Sequence, residues 1–141
     1  MRPGTILGGE HADYRREMLR DVIIVGVGGA LGTIARFLLV LLFAREAPLA
    51  FPLGTFVVNV AGCLIMGAVF GLSQRYGWMT TEWRFFLATG FCGGFTTFSA
   101  FAYENLILLQ HRDHTTFLIN TLLSLAACLL AVFIGFTLAR G

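Results

Sequence analysis

The sequence predicts an all-α integral membrane protein with four transmembrane helices, the third of them broken near mid-membrane. Three observations carry that reading. Of the 141 residues, 57% are hydrophobic and only 13% are charged, about half the charged share of a soluble domain. A chain this short has too little interior to hide so much apolar surface from water. Four apolar stretches are each long enough to cross a hydrocarbon core, which takes about 20 helical residues. The connections between them, AREAPLAF (containing Pro48 and followed by Pro52), SQRYGWMTTE and HRDH, are too short for a folded domain outside the bilayer.

Residues 1–21 are polar and mixed in charge. They lack the short apolar core and small-residue cleavage site of a signal peptide, so this N-terminal tail is expected as a short surface helix or a disordered segment. Residues 22–138 form one transmembrane domain with spans over about 22–43, 53–72, 83–110 and 116–138. The third stretch exceeds what a straight crossing needs, which fits tilting or a break near Gly93 and Gly94. Arg2, Arg15, Arg16, Arg20, Arg75, Arg84 and Arg140 fall on the side of the N-terminus, against Arg45, Arg112 and the inward-lying Arg36 opposite. The positive-inside rule then puts both termini in the cytoplasm, for a multi-pass protein of the cell's inner membrane.

The third span holds the most informative stretch, GFCGGFTTFSAF from Gly90 to Phe101. Its three glycines each weaken a helix by roughly 1 kcal/mol relative to alanine. Backbone groups left unpaired in hydrocarbon cost several kcal/mol each, so a loosened helix persists there only inside protein or along a polar cavity. Thr96, Thr97 and Ser99 supply hydroxyls at the same level. This segment is expected to build a site within the membrane.

Strongly polar side chains inside spans usually face protein or water. Here they are Arg36, Asn59, Glu104, Asn120 and Ser124. The Asn59 amide offers two donors and an acceptor, enough to hold an anion or to bridge helices; bridging is the commoner use. Arg36 either snorkels to an interface or draws anions into a vestibule. Glu104 needs a partner or water. Phe98 and Phe101, three apart, share a helix face with Ser99 between them. Aromatic rings are positive at their edges, so such edges can accept an anion without a trapping charge, although lipid packing explains most membrane phenylalanines.

Glycines four apart (Gly28 and Gly32, Gly67 and Gly71, Gly90 and Gly94) let helices approach closely. Four thin spans enclose little volume, so a pore is expected to need a second subunit. Cys63, Cys92 and Cys128 fall in three different spans with no metal-ligand spacing, and read as small buried apolar residues. The three histidines lie in the tail and a loop. A net charge of +2 with no basic stripe excludes a nucleic-acid partner.

GGALGTIAR (Gly28 to Arg36), GTFVVNVAG (Gly54 to Gly62) and GFCGGFTTFSAF, in that order on successive spans, resemble the signature blocks of the fluoride channel family Fluc, also called CrcB. The resemblance covers about Val22 to Leu138. It implies a passive fluoride-selective channel that exports fluoride from the cytoplasm. It also implies an antiparallel dimer of four-helix subunits with two pores, a homodimer or else a pair with an oppositely oriented paralogue. By the same resemblance, carbonyls of Gly93 and Thr96 would hold a structural sodium ion at the dimer centre. Asn59, Phe98 and Phe101 would be pore residues, and Thr55, Ser99, Glu104, Asn120 and Ser124 would be polar pore or vestibule groups. Arg36 matches the family's arginine at the end of the first helix. Ala100 and Ala102 depart from the pattern, standing where many members carry hydroxyls.

The alternative is a small multidrug-type exporter of four spans coupled to protons. Coupling needs a titratable carboxylate in the substrate path, commonly in the first span; here that span has none, and Glu104 is the one intramembrane acid. An enzyme is not expected, because no histidine, cysteine and acid constellation offers a nucleophile with its base.

Overall fold

A computed structural model describes residues 6–46, 51–76 and 79–141. The first five residues of the tail, residues 47–50 with Pro48, and residues 77–78 lie outside the described residues. Among the described residues the architecture is all-helical, with four helical stretches long and apolar enough to cross a membrane: Asp13–Phe43, Leu53–Arg75, Thr81–Gln110 and His114–Arg140.

Helix α1 runs over Ile6–Glu46, 41 residues, or about 60 Å at 1.5 Å per residue, roughly twice the hydrocarbon core. From Ile6 onward the polar tail is therefore neither a separate surface helix nor disordered: it continues the first span outward. The residues explain this, since the run RREMLR (Arg15 to Arg20) contains only strong helix formers and nothing that ends a helix. Arg20 Nη2 lies 3.0 Å from Glu82 Oε1, tying the emerging helix to the start of the third span.

Helix α2 (Leu53–Arg75) packs along α6 (His114–Arg140), the most extensive contact in the fold. Their backbones nearly touch. A Cβ at Gly67 would collide with the Val132 carbonyl, and one at Gly135 with the Leu64 carbonyl. Between them the third span consists of α3 (Thr81–Arg84), a π-helical segment (Phe85–Cys92), the single turn α4 (Gly93–Phe95) and α5 (Phe98–Gln110). The π segment packs against α1 through Gly28 and Gly32, where side chains would strike the Phe86 and Phe91 carbonyls.

Polarity is inverted relative to a soluble protein. Thr55, Asn105, Asn120 and Ser124 are buried, whereas Leu122, Leu129 and Phe133 face outward. Lipid tails are as apolar as leucine, so close packing and internal hydrogen bonds, rather than escape from water, hold such helices together.

The last connection is tight. Arg112 takes a left-handed conformation (φ 58°), and Asp113 caps α6 by accepting from the Thr116 N–H at 3.0 Å. That backbone hydrogen bond, with help from the Thr116 hydroxyl, holds the Asp113 carboxyl below its ordinary value.

Candidate functional site

Gly93 and Gly94 remain helical, and the backbone leaves helical geometry two residues later. Thr96 (φ −81°, ψ 157°) and Thr97 (φ −153°, ψ 121°) are extended. The interruption thus follows the glycine pair rather than falling on it. Glycine supplies the room: a Cβ at Gly94 would collide with the Gly29 carbonyl of α1.

Three of the groups freed by the interruption meet named partners. The Thr97 N–H, which in a continuous helix would return to the Gly93 carbonyl, donates to Asn59 Oδ1 at 2.8 Å. Asn59 Nδ2 donates back to the Thr97 carbonyl at 3.1 Å. One amide on α2 therefore replaces the lost partner of the Thr97 N–H and adds a second donor to the Thr97 carbonyl, which as N-cap already accepts the first bond of α5. Thr97 Oγ1 accepts from the Ala100 N–H at 3.3 Å and so caps α5. Arg36 Nε and Thr33 Oγ1 both donate to the Gly94 carbonyl, at 3.2 and 3.4 Å. Arg36 consequently sits level with the interruption.

A cavity of about 420 Å³ opens against this interruption, walled by α2, α5 and α6. Of the residues singled out from sequence, Asn59, Thr96, Thr97, Phe98, Phe101 and Ser124 line it together, and Ser99 does not. The Phe98 and Phe101 ring centroids are 5.6 Å apart at an interplanar angle of 40°. No charged side chain is among the lining residues. Most of the hydroxyl protons are committed inward, Thr96 to the Cys92 carbonyl and Thr121 to the Phe117 carbonyl. The second N–H of Asn59 is not so committed in any bond described above, and Ser99 Oγ and Thr97 Oγ1 share one contact at 3.1 Å.

Other expected residues lie apart. Thr55 Oγ1 donates to Glu104 Oε1 at 2.5 Å, while Glu104 Oε2 is buried with no partner among the described residues. Asn120 is almost wholly enclosed, and its Nδ2 donates to Asn105 Oδ1 at 3.1 Å. Asn105 was not singled out from sequence. Its signal was available as the polar residue beside Glu104 in the apolar run YENLILL. Thr33, Thr97 as a cap, and the cavity-lining Thr121, Cys63 and Cys128 were likewise missed as site residues, because hydroxyls and thiols are common in membrane helices and only the fold brings these together.

The fold and the site define a class: a small four-span membrane protein whose third span is interrupted beside an uncharged cavity lined by amide, hydroxyl and aromatic groups. The family model described as "CrcB-like protein, Camphor Resistance (CrcB)" matches residues 23–136. The chain belongs to the CrcB family. It is similar to proteins named fluoride-specific ion channel FluC. The one from Azobacteroides pseudotrichonymphae is 42% identical over 87% of this chain and 98% of its own. The one from Campylobacter lari is 41% identical over 87% and 100%, and that from Gloeothece citriformis 41% over 85% and 97%. The matched region leaves out most of the α1 extension before Ile23.

Proposed function

We propose that this protein is a passive, fluoride-selective ion channel of the cell's inner membrane, not an enzyme, and that it lets fluoride leave the cytoplasm. The observation that carries this reading is the uncharged cavity at the helix interruption, in a chain whose relatives bear that name. Fluoride is small and strongly hydrated, so a narrow path must replace lost water with hydrogen bonds. Asn59 and Ser124, which line the cavity, are the groups able to supply them, with Ser99 beside Thr97 just outside its wall, and the rims of Phe98 and Phe101 add weak positive potential. A fixed cation in the path would hold the ion too tightly for release; the arginine beside the interruption, Arg36, is turned to the Gly94 carbonyl.

The functional unit in this reading is an antiparallel homodimer with two pores. The interruption fits a structural sodium ion. With Thr97 N–H bound to Asn59 and Ala100 N–H to Thr97 Oγ1, the Gly93 and Thr96 carbonyls lose their helical donors. Such oxygens suit a hard cation. Gly93 is exposed, and outside its own helix nothing lies within 4 Å of the place a Cβ would take, which leaves room for a second copy beside it. When bound, sodium would neutralise the converging carbonyl dipoles and fix the crossing of the two third spans.

The test is efflux from proteoliposomes loaded with fluoride or chloride, read by ion-selective electrodes. Rapid fluoride efflux with negligible chloride efflux is expected, and equal rates, or no fluoride efflux, would refute the reading. Phe98→Ile and Phe101→Ile should each depress fluoride efflux by tenfold or more, roughly the 1.4 kcal/mol that a lost aromatic contact supplies, with the dimer intact on size exclusion.

A further inference from the structure

Outside the cavity, one buried network joins α5 to the wall formed by α6. Asn120 Nδ2 donates to Asn105 Oδ1 at 3.1 Å, and Ser124 Oγ donates to Asn120 Oδ1 at 3.3 Å. Asn105 is 6% exposed, Asn120 1% and Ser124 7%. Of the three, only Ser124 lines the cavity. Two asparagines buried between apolar helices would be destabilising if left unpaired, and the chain they form ends at the permeation wall.

The two bonds are unequal. A hydroxyl-to-oxygen bond is usually 2.5–3.0 Å, whereas an amide-to-oxygen bond is comfortable near 3.0 Å. The Ser124–Asn120 bond at 3.3 Å is therefore the weak link, and the Asn120–Asn105 bond is of ordinary strength. A serine hydroxyl has one proton and turns freely to suit its acceptor. An anion entering the cavity competes for that proton against a stretched bond and can take it. Asn120 stays in place while this happens because its amide is held from behind.

From this we infer that Asn105 is a positioning residue for permeation: by accepting from Asn120 it keeps Asn120 set, so that Ser124 is parked with its proton available to a passing anion and has an acceptor to return to. The essential group is the acceptor oxygen at position 105. The inference rests on the fluoride-channel reading, and its test separates the two.

Fluoride efflux is measured in proteoliposomes for the parent protein, Ser124→Ala, Asn105→Leu, Asn105→Asp and the double variant Asn105→Leu with Ser124→Ala, each first checked by size exclusion. Asn105→Leu should lower efflux about fivefold, the equivalent of one ordinary hydrogen bond. Asn105→Asp keeps an acceptor oxygen in the same place whether or not it carries a proton, and should restore efflux to within about twofold of the parent. In the Ser124→Ala background, Asn105→Leu should cost nothing more, because the residue through which it acts is gone.

Parent-like efflux of Asn105→Leu, or losses that multiply fully in the double variant, would overturn the role of Asn105 while leaving the channel reading standing. If the parent itself passes no fluoride, the channel reading fails and this inference with it. Should Asn105→Leu not fold, Asn105→Ala in the same cycle, judged by the same two criteria, replaces it.

Discussion

Asn59 makes two bonds with one residue, donating to the Thr97 carbonyl and accepting from the Thr97 N–H. Replacing it with leucine strands the Thr97 N–H in a low-dielectric setting, at about 1–3 kcal/mol, while the Thr97 carbonyl keeps its bond within α5. Asn59→Leu should therefore lower stability in detergent by about 1–3 kcal/mol, and the surviving folded fraction should conduct poorly. Asn59→Asp keeps the acceptor for the Thr97 N–H but, when ionised, loses the donor, and should fall between the two. A Leu variant as stable as the parent would show that the interruption does not depend on this amide. The sequence singled out Asn59 and offered two uses for it, holding an anion or bridging helices. The structure shows the bridging bonds and also places the residue in the cavity wall. Sequence could not have decided this, because the partner is a backbone group exposed only when the helix stops at Thr96.

Among the elements, the spans were legible and the departures from them were not. Four apolar runs of spanning length are a property of composition, and glycines at four-residue intervals announce close helix contacts without naming the partner. The π-helical stretch Phe85–Cys92 and the shift of the interruption to Thr96 and Thr97 depend on which carbonyls α1 presses against, information that is tertiary. The extension of α1 back to Ile6 was written in RREMLR, but the polar character of the tail masked it. Two predictions belong here. Gly67→Ala drives a Cβ into the Val132 carbonyl and should destabilise the α2–α6 pair by about 1–3 kcal/mol, whereas Gly26→Ala, with nothing within 4 Å, should be neutral or stabilising by up to about 1 kcal/mol. Thermal unfolding of the two variants reads the contrast, and equal effects would contradict the packing. Asp113, with its carboxyl held below the usual range by the Thr116 N–H, stabilises α6 above the ordinary carboxylate value. That contribution disappears as pH falls through the lowered folded value. Asp113→Ala should accordingly lower the unfolding temperature at neutral pH and lose its effect in acid.

At the scale of the whole molecule, the arginines set a problem that the proposed pairing must solve. Arg20, Arg75, Arg84 and Arg140 lie at one end of the bundle with the outward run of α1, and Arg112 lies at the other, beyond α5. Arg36, which on sequence counted toward that second end, is instead engaged with the Gly94 carbonyl near the middle, so the asymmetry is sharper than the sequence count suggested. Arginine bias favours a single orientation with the crowded end in the cytoplasm, yet an antiparallel homodimer requires half the copies to insert the other way. A cysteine introduced at His11, on the exposed α1 extension, in a chain whose Cys63, Cys92 and Cys128 are replaced by alanine, reports orientation through an impermeant maleimide applied to intact cells. An antiparallel homodimer gives labelling of about half the copies, with the remainder labelled only after lysis. Labelling only after lysis means that every copy faces one way, and then the antiparallel partner must be a different chain carrying the opposite arginine bias. Because α1 projects beyond the bilayer as a continuous helix rather than folding back on the surface, the reporter stands in water in either orientation, and the labelled fraction reads insertion directly.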